Sequence, residues 1–163
     1  MNFVNQLYQT IVNDEFESKR NLGENDDNIC QLIQKDSIEE FITEYNKRDL
    51  SLNMSIPSSI FETNSFLLNK TPTLIQYASF YGSVQIFRFL YKNKVELTNS
   101  LWLYAIHSDN SELIAILEEN CPKPDSFKES WIEAVKCHHN SMANYIQNNY
   151  YSIDNCYKFF SFF

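Results

Sequence analysis

Ala78, Ala105 and Ala134 occupy matching places in three similar stretches of the chain. These are Tyr77-Ala78-Ser79-Phe80-Tyr81-Gly82, Tyr104-Ala105-Ile106-His107-Ser108-Asp109 and Glu133-Ala134-Val135-Lys136-Cys137-His138. The intervals are 27 and 29 residues. The likeness continues past each alanine: Ile86, Leu113 and Met142 stand eight residues on, and Leu90, Leu117 and Ile146 twelve on. Those two positions lie one turn apart on the same helix face. Self-similarity at this period predicts an array of helical units. One unit cannot bury its apolar face alone, so neighbours must stack. Alanine suits the contact, because its small side chain lets helix backbones approach and its helix propensity is the highest.

Each unit needs a tight reversal between its two helices. A residue there often takes positive φ, which glycine adopts freely and Asn, Asp and His adopt more readily than other residues. Gly82, Asp109 and His138 hold the equivalent position. The spacing predicts helix over 73–80, a turn at Gly82, and helix through about residue 92. It predicts helix over 99–107 and 111–120, with Pro122 and Pro124 stopping that unit. A last pair covers 126–137 and, after a turn at His138-His139, runs through about residue 148.

The chain before these units is less regular. Phe3, Val4, Leu7, Tyr8, Ile11 and Val12 predict an N-terminal amphipathic helix. The polar run from Asn21 to Asn28, with Gly23 inside it, reads as a loop. Ile29, Leu32 and Ile33, then Ile38, Phe41, Ile42 and Tyr45, mark two short helices that read as a diverged unit. Asp36 or Ser37 is positioned to cap the second, with Glu39 and Glu40 in its first turn, where carboxylates favour the helix dipole. Residues 46–72 read as a connecting segment. Pro57 marks a break there, Ser58 to Glu62 opens a short helix, and Phe66, Leu67 and Leu68 are expected to be partly buried. The aromatic tail from Tyr150 to Phe163 is a liability if exposed. It either folds back as a cap or begins a further unit. The expected organisation is a helical cap with a diverged repeat and connecting segment over 1–69, repeats over 70–149, and the tail over 150–163.

Composition limits the partners. A hydrophobic fraction of 44% and an aromatic fraction of 15% exclude a chain disordered throughout. A formal net charge of −8 opposes binding to phosphate backbones or anionic membrane surfaces, so neither nucleic acid nor membrane is expected. No stretch approaches the roughly 18 apolar residues of a membrane helix. No secretory signal is read at Met1-Asn2-Phe3-Val4-Asn5-Gln6. Cys30, Cys121, Cys137 and Cys156 form no Cys-x-x-Cys pair, so free thiols and an intracellular, cytoplasmic setting are expected.

The stretch from Thr73 to Leu90 resembles an ankyrin repeat. In that family a Thr-Pro-Leu-His-x-Ala-Ala core leads to a Gly-His turn, then Ile-Val and Leu-Leu on the second helix. Thr73, Ile75, Ala78, Gly82, Ile86 and Leu90 match, whereas Leu74, Gln76 and Ser83 depart from Pro, His and His. The next two units keep Ala105 and Ala134 and the later apolar positions but lose the Thr-Pro. Ser100 to His107 and Lys136 to Asn140 are similar to a divergent ankyrin-like family expanded in single-celled eukaryotes. The match covers about residues 70–149, and more weakly about 29–69. The resemblance implies an all-α, ankyrin-like solenoid of stacked helix-turn-helix repeats with an N-terminal helical cap. Units shorter than the ordinary 33 residues leave little room for protruding hairpins. The resemblance also implies that Phe80, Tyr81, His107, Ser108, Lys136 and Cys137 line a concave groove where a partner protein docks. Packing of Phe80 and Tyr81 under residues 46–72 is the competing reading. Trp102 and Trp131, three residues before their alanines, read as core.

Chemistry is weakly signalled. Cys137-His138-His139, with Cys121, invites a metal reading. But adjacent helical side chains diverge by about 100°, whereas zinc ligands must converge. Cys137 and His107 fall near the same place in successive units, yet no third group or oxyanion hole is recognisable beside them. Glu39-Glu40 and Glu118-Glu119 read as solvated helix faces, and with Gly23 and Gly82 the only glycines there is no phosphate loop. The expectation is therefore a monomeric, non-enzymatic interaction scaffold without metal or cofactor. A cysteine- or metal-dependent enzyme, and a truncated array without independent function, are the alternatives.

Overall fold

The computed structural model describes residues 14–150. Among them are nine α-helices and no strand, with one isolated antiparallel bridge between Ser55 and Thr73. The helices are α1 (Asp14–Leu22), α2 (Asn28–Gln34), α3 (Ile38–Lys47), α4 (Leu74–Tyr81), α5 (Val84–Lys92), α6 (Leu101–Ser108), α7 (Ser111–Asn120), α8 (Lys128–Lys136) and α9 (Asn140–Asn149). They form an all-α structure in which α2 to α9 make four successive helix pairs. The first helices pack in chain order, α2 on α4, α4 on α6 and α6 on α8, while the second helices stand further apart.

Ala78, Ala105 and Ala134 sit where the first helices meet, and all three are fully buried. Ile86, Leu113, Leu90 and Leu117 are also fully buried, and Met142 and Ile146 nearly so. The apolar periodicity thus marks the core of the last three pairs. Each such Leu or Ile contributes roughly 1.5–3 kcal/mol by leaving water.

The reversal within each pair uses a left-handed residue. Gly82, Asp109 and His138 take φ of 69°, 47° and 59°, as the sequence register requires, and Asp36 adds the same turn to the first pair at 50°. The residue after each of the last three turns reaches back to the preceding pair. The Ser83 hydroxyl donates to the Ile33 carbonyl. Asn110 Nδ2 donates to the Gly82 carbonyl at 3.3 Å, and the His139 Nδ1–H donates to the Ile106 carbonyl at 2.8 Å. Asp36 works in the other direction. Its carboxylate accepts the Gln85 and Ile86 N–H groups, both at 3.0 Å, and so caps α5 of the next pair rather than its own helix. Ser37 is the N-cap of α3 but makes no side-chain capping bond.

Helix α4 starts with a capping box. Gln76 N–H donates to Thr73 Oγ1, and Thr73 N–H donates to Gln76 Oε1 at 2.8 Å. Gln76 Nε2 also donates to Ser100 Oγ at 3.0 Å, tying this cap to the start of α6.

Several expectations are corrected. Helix α1 includes Asn21 and Leu22, so the polar loop begins later than the charge run suggests. Ser58 to Glu62 forms no helix, only a turn at Ile60 and Phe61. Leu67 is buried but Leu68 is exposed. Trp102 is buried, with Nε1 donating to the Pro122 carbonyl, and Trp131 is partly buried and packs against the same core. Tyr150, the first tail residue, stacks on Phe127 and meets Trp102 edge-on. The N-terminal helix expected from Phe3 to Val12 and the tail beyond Tyr150 lie outside the described residues.

Candidate functional site

Helices α6 and α8 lie side by side, and residues 64–70 pass across them. Between the three runs is a cleft of about 620 Å³. Phe66, Lys70, Leu103, His107, Ile132 and Glu133 line it, together with Glu129, Lys136, Cys137, Asn64 and Ser65.

Phe66 holds the connecting segment in place. Its ring stacks on Phe80 at 5.7 Å, meets Tyr104 edge-on at 5.1 Å and lies 4.2 Å from the His107 ring. Lys70 Nζ sits 3.2 Å from the centroid of the Phe66 ring, a cation–π contact. Burial lowers the pKa of that ammonium.

The six residues expected in the groove separate into two groups. His107, Lys136 and Cys137 line the cleft. Phe80 lies beneath it, buried under Phe66 and against His107 at 4.6 Å. Tyr81 turns toward the first pair, where Gln34 Nε2 donates to the hydroxyls of Tyr77 at 3.0 Å and Tyr81 at 3.5 Å. Burial pushes the Tyr81 phenol up to about 12. The Ser108 hydroxyl donates to the Ala105 carbonyl at 2.8 Å and accepts the Asn110 N–H, so it helps close its own turn.

His107 is the best-enclosed polar group of the cleft. Cys137 Sγ lies 3.4 Å from its Nδ1, and Glu133 Oε1 lies 3.4 Å from its Nε2. The Glu133 contact is an ion pair only when the ring is protonated, its geometry does not make a hydrogen bond, and Nε2 has no hydrogen-bond partner. Burial pushes the imidazole pKa down to about 4 against the opposing pull of Glu133, so the ring is neutral at pH 7. Burial, with Glu133 adding, raises the Cys137 thiol. Lys136 Nζ holds the other Glu133 oxygen at 3.1 Å. One donor atom each from His107, Glu133 and Cys137 fall within 4.8 Å of one another.

That cluster is not the metal constellation the sequence suggested. His138 is exposed at its turn and His139 is bonded to the Ile106 carbonyl, so Cys137-His138-His139 does not converge. Phe66, Lys70 and Glu133 were missed. Glu133 carries a recoverable signal, because it stands one helical turn before Cys137 on the same face. Phe66 carries none, since its segment has no period.

A scan against protein-family models, a search of curated proteins and a search of solved structures each found no match to this chain.

Proposed function

We propose that the chain is a non-enzymatic protein-interaction scaffold. In this reading its four helix pairs are an ankyrin-like solenoid, and a partner protein docks in the cleft between α6, α8 and residues 64–70. The cleft carries the proposal: it lies on the first-helix side of the stack, the side an ankyrin-like array uses, and three expected groove residues line it. Its chemistry suits a polypeptide. Leu103, Ile132 and Phe66 offer apolar contact, while Lys70, Lys136, Glu129 and Glu133 beside them can pair with charges of either sign. The ring contacts of Phe66 stiffen one wall before any partner arrives, which lowers the entropy cost of docking.

The acidic balance favours a protein over nucleic acid or an anionic membrane surface. No helix among the described residues is long and apolar enough to cross a membrane. Cys30, Cys121 and Cys137 are free thiols, which suits the intracellular setting that belongs to this reading. The scaffold is taken to act as a monomer.

The test is quantitative capture by the intact chain against a double variant, Ile132→Asp with Lys136→Glu. Both positions line the cleft outside the fully buried core. The variant is expected to keep the helical circular dichroism signal and to lose a specifically captured protein. Undiminished capture would remove the cleft as the docking site.

A further inference from the structure

We propose that His107, Glu133 and Cys137 form a zinc-binding site in the wall of the cleft, a role beyond protein docking and independent of it. The first support is spacing. Zinc bonds of about 2.0–2.3 Å in a tetrahedron hold neighbouring ligand atoms roughly 3.3–3.6 Å apart. Zinc takes one nitrogen of an imidazole: Glu133 Oε1 lies 3.4 Å from Nε2 and Cys137 Sγ lies 3.4 Å from Nδ1, so one of the two side chains must shift to share a nitrogen with the other. The three donors fall within 4.8 Å of one another, so side-chain movement of roughly an ångström gathers them around one ion. The donor set of one nitrogen, one sulfur and one oxygen fits zinc, which takes all three ligand types, and leaves a fourth position to water.

The second support is the state of His107. Its side chain is 9% exposed, and Nε2 is buried without a hydrogen-bond partner. Such orphaned buried atoms are rare in folded proteins, and each is satisfied by a partner from outside the chain, a water or an ion. Coordination converts the Cys137 thiol to a zinc-bound thiolate and releases one proton to solvent, with no redox change.

The surrounding side chains fit this role. Lys136 holds Glu133 by Oε2 and leaves Oε1 toward His107, the outer hydrogen bond that ligating carboxylates commonly carry. Zinc with one thiolate and one carboxylate is locally neutral, so Lys70 and Lys136 lower affinity without opposing the geometry. The same three residues also follow the order of a thiol nucleophile, base and carboxylate. That role is disfavoured. Cys137 closes α8 at its C-terminal end, where the helix dipole destabilises a free thiolate, and Glu133 makes no hydrogen bond to the ring that would orient it as a base.

The experiment titrates the chelator-treated full chain with Co²⁺ and then Zn²⁺. One equivalent of Co²⁺ is expected to give a thiolate-to-metal charge-transfer band that one equivalent of Zn²⁺ removes. Cys137→Ser should abolish the band, and Cys156→Ser should leave it. Absence of the band, or its survival in Cys137→Ser, overturns the proposal. Substituting His107 within its ring cluster risks the fold, so Glu133→Gln is the second variant, expected to bind zinc at least about tenfold more weakly. Unchanged affinity there overturns the three-ligand site. Loss of zinc binding alone leaves the docking proposal standing, because capture is read separately.

Discussion

The ring of Phe66 lies over that of Phe80, 5.7 Å between centroids and 16° from parallel. A residue of the connecting segment thereby covers a residue of the first clear repeat, and His107 fills the side of the same cluster. The cleft exists because this segment is pinned across the helix stack and not looped away from it.

Phe66→Ala should loosen that wall. A fully buried Phe→Ala change costs about 3–5 kcal/mol, and Phe66 is half-buried, so a loss of about 2 kcal/mol is expected. Urea unfolding checks this, with the helical circular dichroism signal unchanged before the transition. A loss below about 0.5 kcal/mol would mean the segment is not anchored there.

Ala105→Asp introduces a carboxylate at a fully buried site where α4, α6 and α8 stack. Burying an unpaired polar group there should cost several kcal/mol, on the order of the whole stability of a small domain. Thermal melting is expected to lose its cooperative transition. An unchanged melt would contradict the stacking of the first helices.

The turn residues give a pair of opposite predictions. At Gly82, with φ 69°, an added Cβ would lie 2.9 Å from Ser108 Cβ, so Gly82→Ala should destabilise by about 1–2 kcal/mol or more. His138 takes the same conformation without glycine's freedom, at φ 59°, and its side chain is exposed. His138→Gly should stabilise by up to about 1 kcal/mol. Chemical denaturation of both variants measures the two signs together.

These two predictions show what was legible from sequence. Positive φ and the burial of Ala78, Ala105 and Ala134 are local demands of a helix pair, so they leave a mark at every unit. The nearness of His107 and Cys137 follows from the same register. Phe66 is different: its position comes from long-range ring contacts that no local pattern encodes. Tyr81 and Ser108 share the register of the groove residues, but hydrogen bonds to Gln34 and to the α6 terminus draw them elsewhere.

Asp27 should give the fold an acid-sensitive contact. Its carboxylate accepts both Arg48 terminal nitrogens, at 2.8 and 3.2 Å, and caps α2 through the Ile29 N–H. The Arg48 hydrogen bond holds its pKa below the ordinary value, with the backbone bond adding and burial opposing. A carboxyl depressed in the folded state stabilises above its unfolded pKa of about 3.9, and that stability is lost as pH falls through the lower folded value. Solvent screens this partly exposed pair, so Asp27→Asn should cost about 1 kcal/mol at pH 7. Its denaturation curve should approach the parent's as the pH drops below about 3.9. A cost that stays constant with pH would contradict the ion-pair account.

Hydrogen–deuterium exchange of the intact chain, with and without its captured partner, tests the central claim most directly. The account predicts slowed exchange over residues 64–70, 101–108 and 128–137. Protection confined to α5, α7 and α9, on the second-helix side, would contradict it.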